Sequence, residues 1–186
     1  MDTGEAVGQG YLPRVIEGAL ERALAISGAV VLEGARAVGK TMTALNAANS
    51  FVCIDDAASQ QLLEVAPATL LEGETPRLLY EWQLAAEPWN LVRRKVDTTP
   101  GQSQFILTGS AVPPHDAIRH TGVGRFLRLR QRTLTWWEKL EMPIGNLSLV
   151  ALFDDICPVA DLSDTPELGD VIALILKSGF PAMSES

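Results

Sequence analysis

The stretch Gly34 to Thr41, GARAVGKT, places two glycines around a short loop and follows the second at once with a lysine and a threonine. Each fixed position suits the holding of a phosphate chain. Gly34 and Gly39 let the backbone bend so that N–H groups of Ala35, Arg36, Ala37 and Val38 can turn toward an anion. Lys40 brings a positive charge to the outer phosphates, and Thr41 offers a hydroxyl to Mg2+. Met42 continues into a helical pattern whose positive end faces the same place. The spacing predicts a nucleotide site spanning Gly34 to Met42, with Mg2+ beside the phosphates, and by itself leaves ATPases, GTPases and kinases open.

Hydrolysis needs more than a cradle. In RLLYEWQ, Arg77 to Gln83, a short apolar strand ends at Glu81, and ligands in open α/β sheets lie outside the carboxyl ends of strands. Glu81 is therefore expected to activate a water or to help hold the metal with Thr41, and Gln83 to hydrogen-bond near the terminal phosphate. FILTGS brings the hydroxyls of Thr108 and Ser110 to the end of another strand. Arg119 and Arg125, in RHTGVGR, are candidates to stabilise charge in the transition state. His115 and His120 have no evident catalytic partners and read as surface residues.

These groups need a scaffold that gathers strand ends. Val15 to Ile26 has helical periodicity, AVVLE leads straight into the glycine loop, and Met42 to Ala48 reads as the next helix. Phe51 to Asp55 is a second strand, delivering Asp55 and Asp56, and Ala57 to Val65 a helix. Leu78 to Glu81 is a third strand, Pro88 to Val96 a helix, and Gln104 to Thr108 a fourth strand. Arg125 to Leu134 alternates Leu127 and Leu129 against Arg128, Arg130 and Arg132, as a half-buried fifth strand would. Strands alternating with helices predict a three-layer αβα fold around a mainly parallel five-stranded sheet. The expected organisation is a flexible leader over 1–10, a P-loop domain over 11–138, and a linker with partial helical segment over 139–186. In that last part EKLEMPIGN reads as a connector, Ser148 to Phe153 and Asp170 to Lys177 as helices, and Gly179 as a cap. The chain reads as interrupted after Pro181.

The 186 residues include 47% hydrophobic and 20% charged types, and the net charge is −8 with a pI near 4.7. That balance disfavours general nucleic-acid binding, which draws its affinity from Lys and Arg. No apolar run nears the ~20 residues of a membrane span, and the start lacks a secretory pattern, so a cytoplasmic location is expected. Cys53 and Cys157 are far apart and read as free thiols. The crowding of Arg119, Arg125, Arg128, Arg130 and Arg132 suggests a nearby anion or, equally, a solvated strand edge.

Taken in order, YLPR (Tyr11 to Arg14), GARAVGKT, LLYEWQ, FILTGS and the pair Gly124–Arg125 resemble a family of prokaryotic AAA-superfamily ATPases. Its members join an N-terminal ATPase domain to a C-terminal domain of unknown function. The resemblance covers about Tyr11 to Glu138. It implies a Walker A loop at Gly34 to Thr41, a Walker B strand ending in Asp-Glu, a sensor hydroxyl at Thr108 and an arginine at Arg125. It also implies a longer chain than this one. The Walker B aspartate aligns with Tyr80, a phenol that is neutral at pH 7 and brings no charge to a metal. The expectation is a weak or impaired ATPase whose nucleotide state controls a partner, through self-association or a second protein. A non-hydrolysing nucleotide switch and a P-loop small-molecule kinase are the alternatives.

Overall fold

Val30, Val31 and Leu32 form the centre of β1 (Ala29–Glu33), buried on both faces as the middle of a covered parallel sheet requires. The computed structural model describes residues 11–109, 124–139 and 167–181. Before β1 lies helix α1 (Glu17–Ile26) and after it α2 (Lys40–Ala47). There follow β2 (Ser50–Cys53), α3 (Ala57–Val65), β3 (Arg77–Tyr80), α4 (Glu87–Thr98), β4 (Phe105–Thr108) and β5 (Phe126–Arg130). The sheet is five-stranded in the order β2-β3-β4-β1-β5, and every pairing is parallel. The fold is a three-layer α/β sandwich.

Alternation within each strand divides the core in two. Val30, Leu32, Leu78 and Ile106 face Leu20, Leu24, Ala44 and Leu45 of α1 and α2. Ala29, Val31, Leu79, Phe105 and Leu107 face Trp89 and Val92 of α4. Trp89 anchors this second layer, stacked between Trp82 at 4.9 Å and Phe126 at 4.1 Å between ring centroids.

Strand β5 departs from the expected pattern. It is shorter than Arg125 to Leu134, and Leu127 is 37% exposed while Phe126 is buried. As an edge strand next to β1, it has one well-covered face, the one Phe126 presents to Trp89. Arg128, on that same face, lies over the Trp89 ring at 5.3 Å and pairs with Glu33.

The chain divides into two units, Met1–Arg132 and Thr133–Ser186, somewhat ahead of the expected break after Glu138. In the second unit a short helix, α5 (Trp136–Lys139), takes in the first two residues of the expected connector EKLEMPIGN, whose remainder lies outside the described residues. Thr135 and Glu138 form its cap: the Thr135 N–H and hydroxyl donate to the Glu138 carboxylate at 2.6 and 2.9 Å. Helix α6 (Leu168–Leu176) starts earlier than expected because Glu167 and Asp170 make a capping box. Gly179 does not cap it; its carbonyl accepts from Leu134 N–H at 2.6 Å. The expected helix at Ser148 to Phe153 lies outside the described residues. No described helix is long and apolar enough to cross a membrane.

Candidate functional site

Because all the strands run the same way, their carboxyl ends share one edge of the sheet, and β3, β4 and β1 are neighbours there. Tyr80 pairs with Thr108, and Thr108 with Leu32. Glu81, Thr108 and the loop that begins at Gly34 therefore stand side by side, as the sequence leads one to expect. Arg125 does not join them. It precedes β5, beside the first residue of β1, so the length of a strand, about 15 Å, separates it from the loop of its own chain. There it forms an ion pair with Asp97 at the end of α4. Arg119 and Ser110, like His115, His120 and Cys157, lie outside the described residues.

The loop has the backbone its glycines predict. Gly34 has φ 152° and Gly39 φ 91°, and Ala37 between them is also left-handed at φ 64°. A Cβ on Gly34 would fall 2.3 Å from the Gln131 carbonyl oxygen, so the loop leaves β1 through a gap that admits only glycine. Ala35, Arg36 and Ala37 are exposed, whereas Val38 and Lys40 are buried. Lys40 opens α2 and folds back over the loop, its Nζ donating to the carbonyls of Gly34 at 3.0 Å and Ala35 at 2.7 Å. Burial lowers its pKa, and the carboxylate of Glu81 pulls the other way. A charged ammonium, the start of a helix and a turn of backbone N–H groups thus share one place, an arrangement able to hold phosphate. Thr41 and Met42 follow in the first turn of α2.

Across from the loop, Glu81 sits just past β3 in a left-handed conformation, φ 54° and ψ 36°, which a non-glycine residue adopts at a cost of order 1 kcal/mol. Its carboxylate accepts a hydrogen bond from Gln83 Nε2 and another from the Tyr80 hydroxyl. Burial, followed by the Glu81 charge, raises the Tyr80 pKa, so the phenol is held neutral. Gln83 reaches the site because Gly109 has no side chain: a Cβ there would lie 1.8 Å from Gln83 Oε1.

Two buried polar atoms at this edge, Thr108 Oγ1 and Gln83 Oε1, have no hydrogen-bond partner among the described residues. Buried polar groups are nearly always paired, so the chemistry of the edge fits a polar ligand or a water held between β3 and β4. For a metal, Thr41 would offer a hydroxyl and Glu81 a carboxylate; among the described residues no three His, Cys, Asp or Glu side chains gather at one point. That donor set suits Mg2+ carried in with phosphates, since Mg2+ keeps waters and takes one or two carboxylates beside phosphate oxygens. Asp55, past the adjacent β2, accepts from the Cys53 thiol. Burial, then this hydrogen bond, pushes the Cys53 pKa up to about 12.

Sequence reasoning missed the residues behind the loop. Arg14 and Gln131, 4% and 2% exposed, both donate to the carbonyl of Val38, at 2.7 and 3.2 Å. Gln131 falls on the Leu127 and Leu129 side of the alternation, and no local signal reveals its contact with a loop so distant in sequence. Arg14 was visible only as part of YLPR. Compared with known protein families and with curated proteins, the chain matches none.

Proposed function

We propose that this chain is an ATP-binding AAA-type domain, a Mg2+-dependent ATPase of low turnover whose nucleotide state controls a partner. The observation that carries the reading is the loop itself. GARAVGKT leads from a buried parallel strand to a helix start, with Lys40 folded over it and Glu81 facing it from β3. In this reading the loop and Lys40 hold the phosphates, and Thr41 and Glu81 hold the metal. Gln83 and Thr108 orient the attacking water, and Glu81 accepts its proton when free to do so. ATP bound with Mg2+ supplies the reactive phosphoanhydride.

Tyr80 makes the difference between binding and hydrolysis. It contributes no negative charge and its hydroxyl occupies one side of the Glu81 carboxylate, which weakens Glu81 both as base and as metal ligand. That hydrogen bond specifically favours the second reading, a nucleotide-dependent switch without useful turnover. The kinase reading has no comparable support, because Arg125 and Arg128 of its supposed lid are paired with Asp97 and Glu33.

Differential scanning of the protein with and without ATP and Mg2+ tests the proposal. A ligand that binds only the folded state at a hundred times its Kd adds about 2.7 kcal/mol of stability. The gain should vanish in Lys40→Ala. An unchanged Tm in the parent at millimolar ATP would sink the assignment.

A further inference from the structure

The carbonyl of Val38 is held from behind the loop by two side chains that belong to neither the loop nor the helix. Arg14 Nη1 donates to it at 2.7 Å while Arg14 Nη2 donates to the carbonyl of Arg132 at 2.9 Å, so one planar guanidinium ties the loop to the end of β5. Gln131 Nε2 donates to the same Val38 oxygen at 3.2 Å and to Thr43 Oγ1, inside α2, at 3.0 Å. Thr43 is fully buried, and the Tyr11 hydroxyl lies 3.4 Å from its oxygen. The backbone of Gln131 completes the clamp: its N–H donates to Glu33 O at 2.7 Å, and its carbonyl bounds the gap that Gly34 passes through.

A trans peptide unit is planar, with its C=O and N–H pointing in opposite directions. Fixing the Val38 carbonyl toward Arg14 and Gln131 therefore fixes the Gly39 N–H away from them, toward the mouth of the loop that Lys40 covers. Gly39 has the left-handed backbone, φ 91°, that lets this peptide flip at little cost when unsecured. A guanidinium is suited to secure it, since its donors lie in a rigid plane and bonds from a charged donor are about twice as strong as neutral ones.

We infer that Arg14 and Gln131 are positioning residues of the phosphate cradle, which orient the Gly39 N–H toward a bound diphosphate by clamping the Val38 carbonyl from the far side. The inference rests on the nucleotide reading above. It gives the YLPR segment a function: the N-terminal approach to α1 is part of the binding site, and any displacement of it releases a phosphate donor. Neither residue touches the ligand. Their loss acts through one peptide plane.

The test is calorimetric titration of ADP, with Mg2+, into the parent, Arg14→Ala and Gln131→Leu, each at a temperature where circular dichroism shows it fully folded. Inorganic pyrophosphate is titrated in parallel into glycine-labelled protein while the Gly39 amide resonance is followed. Arg14→Ala should weaken ADP about tenfold or more, the equivalent of one lost hydrogen bond to a charged group. Gln131→Leu, which keeps the side-chain bulk, should weaken it about threefold. Millimolar guanidinium should restore part of the affinity to Arg14→Ala and none to Lys40→Ala. In the parent the Gly39 proton should move downfield on pyrophosphate binding, and in Arg14→Ala this movement should be lost. If Arg14→Ala does not fold, Gln131→Leu decides by the same two readouts. Folded variants that bind ADP within about twofold of the parent, with the Gly39 shift intact, overturn the inference while leaving the nucleotide reading standing. A parent that binds neither ADP nor ATP overturns both.

Discussion

The two edges of the sheet are built to different ends. At the amino edge polar groups are answered by the protein itself. Gln104 Nε2 donates to the carbonyls of Thr99 and Gly101 at 3.0 and 2.9 Å, Asn49 Nδ2 to that of Thr75 at 2.6 Å, and Arg125 pairs with Asp97. At the carboxyl edge Thr108 Oγ1, Gln83 Oε1 and Gln131 Oε1 are buried without a partner among the described residues, and Glu81 keeps a left-handed backbone. On the far layer Arg93 Nε is the exception. Unmet polar groups and local strain cost stability. Three of the four unmet atoms lie where the parallel strands end, while Ser103 at the amino edge is left-handed too, at φ 57°, so the unmet polar groups rather than the strain set the carboxyl edge apart.

Glycine substitutions give the largest contrast. Gly34→Ala puts a methyl group 2.3 Å from a backbone oxygen in a left-handed conformation and should cost about 3 kcal/mol or more, together with ATP binding. Gly101→Ala, at the amino edge, meets nothing closer than Gln104 Nε2 at 3.9 Å. It should cost only the strain of that glycine backbone, about 1–3 kcal/mol, and leave ATP affinity intact. Urea unfolding and calorimetry of the two variants measure the difference; equal losses would erase the distinction between the edges.

A smaller effect is expected from pH. Lys40 has its pKa depressed from 10.5 by burial, so in the window between its folded value and 10.5 the unfolded chain binds more protons. Within that window this group makes stability rise with pH, whereas loss of the ammonium makes ATP affinity fall, by at most about tenfold per pH unit. Opposite slopes for Tm and for ATP affinity in the alkaline range, with this contribution to the Tm slope gone in Lys40→Ala, are the expected outcome.

Arg125 gives the smallest effect. Its pair with Asp97 is 42% and 33% exposed, so Arg125→Ala should lose less than about 1 kcal/mol of stability. Its distance from the loop of its own chain predicts unchanged ATP affinity at low concentration. A role in turnover requires a second copy, and then phosphate release per molecule must rise with protein concentration in the parent and stay flat in Arg125→Ala.

Much of the carboxyl edge was legible because its determinants are local. The loop is fixed by residues within eight positions of one another, the bounds Ala57 to Val65 of α3 agree with the structure, and the parallel sheet follows from the alternation of elements. What was hidden is long-range or directional. Gln131 touches Val38 across 93 positions and Arg14 reaches it across 24, contacts that leave no periodic trace. Arg125 was singled out by the glycines of RHTGVGR and by the family resemblance, neither of which says at which end of the sheet it stands. A residue entering a parallel strand arrives at the amino edge, away from the loop of its own chain. In β5 the aromatic Phe126, held by Trp89, outweighed the leucines that carried the apparent alternation.

In the proposed reading, a phosphate cradle faces a β3 end in which Tyr80 stands where a metal-binding carboxylate is needed. A magnesium titration of phosphate release, comparing the parent with Tyr80→Asp at saturating ATP, tests it most directly. Restoring the carboxylate frees Glu81 from the phenol and adds charge at the metal. Tyr80→Asp should therefore reach half-maximal rate at lower Mg2+ and turn over about tenfold faster, some 1.4 kcal/mol of transition-state stabilisation, with Glu81→Gln in the same background removing the gain. A parent that already hydrolyses ATP at an ordinary rate, with Tyr80→Asp no faster and no tighter for Mg2+, would contradict the account.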